Sequence, residues 1–338
     1  MVYFGTAEPG PTGCVYALNP TTATKIWECP TDGYVREPIV VGDRLYFGVD
    51  VSGTETGKVY CVNANTGAPI WTYTTQDYGV NVAVAYDRVY ASCGHWITTT
   101  KAAVYCLGTD GSFIWSFPTD KDIAPTLSVA NDKVYFTASY ENSACVIFAL
   151  NATNGNEVWR NTDRPNSGGG LTAVAYGKVF VALVGSDEGV YALDETNGNE
   201  IWGFPTPNGP GGGPVVADHK VFFAVGYPSH TFYAIDEATK AVVWSYELVG
   251  SVHSRRSAIA NGRVFVADHW DPKLYAFGGP ITYQLTITTT TGGITNPAPG
   301  THVYASGSSV EVRAIPNANY LFDHWELDTV NVGSANPY

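Results

Sequence analysis

Six tryptophans, Trp27, Trp71, Trp115, Trp159, Trp202 and Trp244, follow one another at spacings of 44, 44, 44, 43 and 42 residues. A fixed period in this range means a repeat architecture, with one supersecondary unit per period. Each unit reads as four short strands. In the unit that holds Trp244 the runs are "GPVVAD", "KVFFAVG", "HTFYAID" and "AVVWSYE". They are short and rich in Val, Phe, Tyr and Ile, and turns separate them. No stretch carries helical spacing over three turns. Four strands in about 43 residues fit a β-propeller blade better than an open solenoid, whose repeats are shorter.

The segment "YALDETNGNEIW", Tyr191 to Trp202, has a near copy in "FALNATNGNEVW", which ends at Trp159. Asn197-Gly198 reads as a two-residue type I′ turn between the third and fourth strands, because that turn needs positive φ twice. Trp202 opens the fourth strand and Ala192 sits on the third. An indole needs a flat, small-residue surface, and an Ala on a neighbouring blade would supply one. Burying a Trp removes about 200 Å² from water, worth at most roughly 5 kcal/mol. The motif would therefore hold one blade to the next.

This pattern, Ala-x-Asp-x-x-x-Gly-x-x-x-Trp in "ALDETNGNEIW", resembles the tryptophan-docking motif of PQQ-like β-propeller repeats. Cys61 and Cys106 replace the Ala in two copies, and Ala23-Thr24 and Lys240 stand where Gly is expected in two others. The likeness covers about residues 1–278 and implies the fold, not the chemistry. From about 281 the pattern changes to alternating apolar and polar residues with Gly, Pro and Asn turns. "GSSVEVRAIPNANYLFDHWE" resembles divergent InlB B-repeat-like modules, small β domains that serve as stalks on surface proteins. The expected organisation is all-β: a propeller over 1–279 and a small β module over 280–338, with both ends of the chain trimmed.

A second signature opens the second strand of each unit: a basic residue, then Val or Leu, then an aromatic. It recurs at Arg44, Arg88, Lys133, Lys178, Lys220 and Arg263. The chain opens with Val2-Tyr3-Phe4, so the first blade lacks its first strand. The last unit contains Ala276 but no following Trp, so it lacks its fourth. An upstream segment could supply both strands. Seven blades are expected, with eight as the alternative.

The net charge of −13 and the scattered basic residues argue against a nucleic-acid partner. No apolar run approaches the roughly 20 residues of a membrane span. Low Lys and Arg, abundant Thr, Tyr, Asn and Gly, and a single Met fit an extracellular or cell-surface protein. The six cysteines show no metal-ligand spacing. Pairing Ala17 with Ile26 across the first hairpin would set Cys14 opposite Cys29, a candidate disulfide. Cys61 and Cys106 read as small buried thiols. Asn151-Ala152-Thr153 is an N-glycosylation sequon.

Function is expected on the face formed by the longer, varied loops between second and third strands and between successive blades. Ligand-binding candidates there are Arg36 and Glu37, His95 and Trp96, the cluster His253, Arg255 and Arg256, and His269-Trp270-Asp271. His95-Trp96 could stack on a sugar. The basic cluster could hold an anion, or be a solvated loop with Arg paired to acids such as Glu37 or Asp122. Asp187, Glu188 and Asp268 are weak Ca²⁺ candidates, since acids in short loops are more often solvated. No catalytic motif or spaced carboxylate pair is visible. Enzymes of the PQQ-dependent dehydrogenase family resemble this chain in their repeats. They imply a bound quinone, Ca²⁺, a catalytic Asp and in several cases an adjacent Cys pair, which this sequence lacks. The reading is a non-enzymatic propeller, with no cofactor expected, that binds a protein or glycan at the cell surface. The alternative is an enzyme: a PQQ/Ca-dependent dehydrogenase or a carbohydrate-active propeller.

Overall fold

The computed structural model describes the chain apart from residues 8–11, 52, 55, 95–101, 120–121, 124–126, 140–144, 165–166, 186, 227, 250–256, 268–272 and 280–281. All regular structure among the described residues is β. The chain divides into two compact units. One comprises Met1–Ala258 and Phe265–Tyr275, the other Ile259–Val264 and Ala276–Tyr338.

The first unit is a β-propeller of antiparallel blades. Blade one has three strands, Val2–Ala7, Gly13–Leu18 and Lys25–Thr31. Blades two to six each add an inner strand, split in two in blades two, four and five, so that strands A to D run outward in sequence order. Three further strands, Ala258–Ala260, Arg263–Ala267 and Leu274–Phe277, follow in sequence. Among its described residues the second unit contains three two-stranded sheets, pairing for example Thr282–Ile287 with Gly300–Ala305.

The core lies between blades. Val15, Ala17 and Trp27 of blade one pack with Leu45, Phe47 and Val49 of blade two. The same arrangement recurs down to Trp202 of blade five against Val221 and Phe223 of blade six.

Turn chemistry corrects one expectation. The C–D turn at Asn197-Gly198 is not type I′, since only Gly198 has positive φ there. It spans four residues: Gly198 N–H donates to the Asp194 carbonyl at 2.9 Å, and Asp194 Oδ1 accepts from Thr196 and Asn197 N–H. Asn19, Asn63, Asn151 and Asp236 close their own turns in the same way. Asn151, the sequon residue, is thus the turn-closing residue of its blade. The two-residue turns with positive φ twice are the A–B turns, as at Tyr86-Asp87 and Asp218-His219.

The tryptophan's partner is a second correction. Ala192 faces Trp202 across strands of the same blade, and so do Ala17, Cys61, Cys106, Ala149 and Ala234 face their own tryptophans. The neighbouring blade instead offers the glycine of its C–D turn. A Cβ on Gly198 would meet Trp159 at 2.5 Å, and one on Gly67 would meet Trp27 at 2.6 Å.

A third correction concerns the first hairpin. Ala17 pairs with Trp27 and Leu18 with Lys25, so Ile26 is an extra, bulged residue. Cys14 therefore stands opposite Pro30 and Cys29 opposite Val15, and the two cysteines do not face each other. The same bulge recurs before every one of the six tryptophans. It turns Ile26, Ile70, Ile114, Val158, Ile201 and Val243 outward, and all six are exposed.

Candidate functional site

The second signature joins the tryptophan in tying blades together. Its aromatic tilts against the tryptophan of its own blade, from Tyr3–Trp27 at 5.8 Å to Phe222–Trp244 at 6.0 Å. Its basic residue reaches the next blade. Arg88 Nη1 (3.1 Å), Tyr90 OH (3.1 Å) and Trp115 Nε1 (3.2 Å) all donate to the Ala152 carbonyl. Arg44 and Trp71 share the Thr109 carbonyl. In blades five and six a buried glutamate stands at this turn position. Trp159 and Trp202 donate to the Glu195 and Glu237 carbonyls at 3.0 and 2.9 Å. Lys133 and Lys178 instead pair with the carboxylates, at 3.5 and 2.6 Å. These residues build the scaffold at the end of the blades that carries the A–B and C–D turns; the B–C and D–A loops form the opposite face.

On that face an open cleft of about 510 Å³ sits beside blade two. Tyr34, Arg36, Asp50, Thr54 and Tyr78 line it. Tyr34 and Arg36 come from the inner strand and the bend after it. Asp50 ends the second strand, Thr54 lies in the following loop, and Tyr78 in the loop leading to blade three. Glycines let these segments close up: a Cβ on Gly48 would fall 1.8 Å from the Val80 carbonyl oxygen, and one on Gly33 equally close to that of Asp50.

Arg36 is held from behind. Its Nε donates to Asp50 Oδ2 at 2.9 Å and its Nη2 to the same oxygen. Asp50 Oδ1 accepts from the backbone N–H of Gly79 (2.7 Å) and Val80 (3.1 Å). The carboxylate is thus satisfied on both oxygens, as a buried charge must be. Among the described bonds Arg36 Nη1 makes none, and the side chain is 29 % exposed. Tyr34, 47 % exposed, flanks it. The arrangement offers one fixed guanidinium donor in a cleft that Tyr34 and Tyr78 also line.

Of the residues expected from sequence, Arg36 lines this cleft, ion-paired with Asp50; Glu37 is exposed. Asp187 and Glu188 are half-buried in blade five, where Ser167 Oγ donates to Asp187 Oδ2 at 3.2 Å. His95, Trp96, His253, Arg255, Arg256, Asp268, His269, Trp270 and Asp271 lie outside the described residues. Asp50, Tyr34 and Tyr78 had no distinguishing motif. Asp50 ends an ordinary strand, and only its meeting with a residue 14 positions earlier gives it a role.

The cysteines are scaffold too. Burial pushes the Cys61, Cys93 and Cys106 thiols up to about 11. Reactive thiolates need the opposite shift.

Four-stranded blades tied by tryptophan and a loop-face cleft define the class: a β-propeller of PQQ-like repeats. The family described as "Outer membrane protein assembly factor BamB" matches residues 11–95, 94–187 and 186–315. Those matches span most of the chain, which therefore belongs to this PQQ-like repeat family. No curated protein is similar in sequence. Among solved structures, Sqt1 of Saccharomyces cerevisiae aligns with a TM-score of 0.62 at 10% identity, over 82% of this chain and 81% of its own. The computationally designed Ika8 protein aligns at 0.61 and 12% identity, over 90% and 93%. The quinohemoprotein alcohol dehydrogenase ADHIIG of Pseudomonas putida HK5 aligns at 0.52 and 15% identity, over 75% of this chain. This chain spans about half the length of that dehydrogenase, 52%. At such identities these likenesses concern the fold alone. No helix among the described residues is long and apolar enough to cross a membrane.

Proposed function

We propose that this protein is a non-catalytic propeller, extracellular or at a cell surface, that binds an extended protein segment through its loop face. The observation that carries this is the Arg36 guanidinium, oriented by Asp50 yet with one edge facing the cleft. A pre-oriented Arg in a cleft shared with tyrosines suits an interface anchor, since hot spots are enriched in Trp, Tyr and Arg. The Arg36–Asp50 pair has no net charge, so the cleft suits a neutral or singly charged acceptor, such as a side-chain amide or carboxylate, rather than a polyanion.

The test is selection of peptides from a random display library on the full chain. Selected peptides should carry an acceptor side chain and bind Arg36→Ala at least about tenfold more weakly, a loss of about 1.4 kcal/mol. Equal binding to both proteins would remove Arg36 from the site. The enzymatic alternative is checked separately. Reconstitution with PQQ and Ca²⁺ and assay on simple alcohols with a dye acceptor should give no turnover; clear turnover would replace the binding reading.

A further inference from the structure

A second groove, of about 350 Å³, lies where the outer strands of blades two and three meet. Its outer-strand residues differ from those of blades one and four, which carry an ion pair there, and from the Pro69/Thr72, Glu200/Gly203 and Val242/Ser245 of the other blades. On each outer strand two positions bracket the tryptophan, two residues before it and one after. In blade one they hold Lys25 and Glu28, ion-paired at 2.6 Å. In blade four they hold Glu157 and Arg160, with Arg160 Nε donating to Glu157 Oε1 at 2.7 Å. Arg160 stands opposite Phe148 in the register, and its guanidinium lies 5.2 Å from the centre of that ring. The ion pair thus roofs the aromatic beneath it.

Blade three has Phe113 and Ser116 at these two positions. Ser116 stands opposite Tyr105, so a short hydroxyl sits where blade four has its guanidinium, as short residues also do in blades two, five and six (Thr72, Gly203, Ser245). Phe113 is 52 % exposed, and no other blade has an aromatic at its position. Tyr73 of blade two stacks with Phe113, their rings 6.4 Å apart at 14°, and tilts against Tyr105 at 5.9 Å. Gln76 and Ser116 add hydrogen-bonding groups to the walls. None of the described lining residues is charged, in a chain of net charge −13.

We propose that this groove binds a neutral saccharide. The C–H face of a sugar ring would lie on Phe113 and Tyr73, which present apolar area at little cost in side-chain entropy. The Gln76 amide and the Ser116 and Tyr73 hydroxyls would take the sugar hydroxyls and fix its orientation, as the few polar groups of a ligand site do. An uncharged lining matches a polyol and gives a charged peptide nothing to pair with. The proposal is independent of the Arg36 cleft.

Phe113→Glu/Ser116→Arg would rebuild the blade-four ion pair across the groove while leaving every interblade tryptophan contact in place. Phe113→Ser is the milder variant should the double one fail to fold. The measurement is saturation-transfer NMR on the full chain, irradiating aromatic protons, with cellotriose, maltotriose and triacetylchitotriose as probes. Transfer to at least one of them is expected, with an apparent affinity about tenfold lower in either variant while the melting temperature of that variant is unchanged. Three results would overturn the proposal: no transfer to any probe, equal transfer in wild type and variants, or binding of a proline-rich peptide in place of the sugars.

Discussion

A single main-chain oxygen, that of Ala152, collects an arginine, a tyrosine and a tryptophan from the preceding blade. The tryptophan also lies flat on the turn glycine three residues further on, Gly155, where a Cβ would meet the indole at 2.7 Å. Trp27, Trp115, Trp159 and Trp202 therefore combine apolar burial with a satisfied N–H, the state a buried indole needs. Trp159→Ala should cost about 3–5 kcal/mol, in line with large-to-small core substitutions. Thermal melting reads this, and an unchanged transition would remove the tryptophan from the scaffold. Gly198→Ala should also destabilise, by more than about 1 kcal/mol, because Gly198 has φ +76° and lies against Trp159. The buried thiols give a chemical counterpart. Since burial holds Cys61, Cys93 and Cys106 near 11, iodoacetamide at pH 8 should label them only after unfolding, as mass spectrometry of peptides would show. Fast labelling of the native protein at these sites would contradict that placement.

Between elements, the turn glutamate Glu237 makes the contact between blades five and six sensitive to acid. Burial alone would raise the Glu237 carboxyl, but hydrogen bonds from Lys178 and His219 outweigh it and hold it below its ordinary value. A group lowered in the folded state stabilises above its unfolded value, about 4.3, and loses that contribution as pH falls through the folded value. Wild type should therefore exceed Glu237→Gln in melting temperature at pH 7, with the gap closing below about pH 4. A gap independent of pH would mean that the carboxylate is not coupled to folding. The period, the four strands and the tryptophan positions were legible because they recur in the sequence itself. The tryptophan's partner was not, because it is a backbone oxygen 35 to 38 residues downstream and carries no side-chain signature. The register was missed for a related reason. Counting back from the turn pairs Ala17 with Ile26, and nothing at Ile26 announces the bulge that shifts Cys14 away from Cys29. Of the candidate site, Arg36 was legible as one of the candidates on the loop face. Asp50 was not, since strand ends often carry acids and its role comes from folding.

At the scale of the molecule, the proposed function puts recognition on one face of the propeller, while blade joining takes the other. The A–B and C–D turns carry the contacts that join blades, with Tyr86 OH accepting from Asp132 N–H and Tyr176 OH from His219 N–H, both at 3.1 Å. The segments at the other ends of the strands form the Arg36 cleft. That division is the central claim, and site-specific crosslinking tests it most directly. A photoreactive benzoyl-phenylalanine would replace Tyr34 on the loop face or Tyr176 on the turn face, both exposed tyrosines. Each protein would be illuminated with the peptide selected on the wild-type chain. Crosslinking from position 34, with none from 176, is the expected result. Crosslinking from 176 alone would place recognition on the turn face and contradict the account.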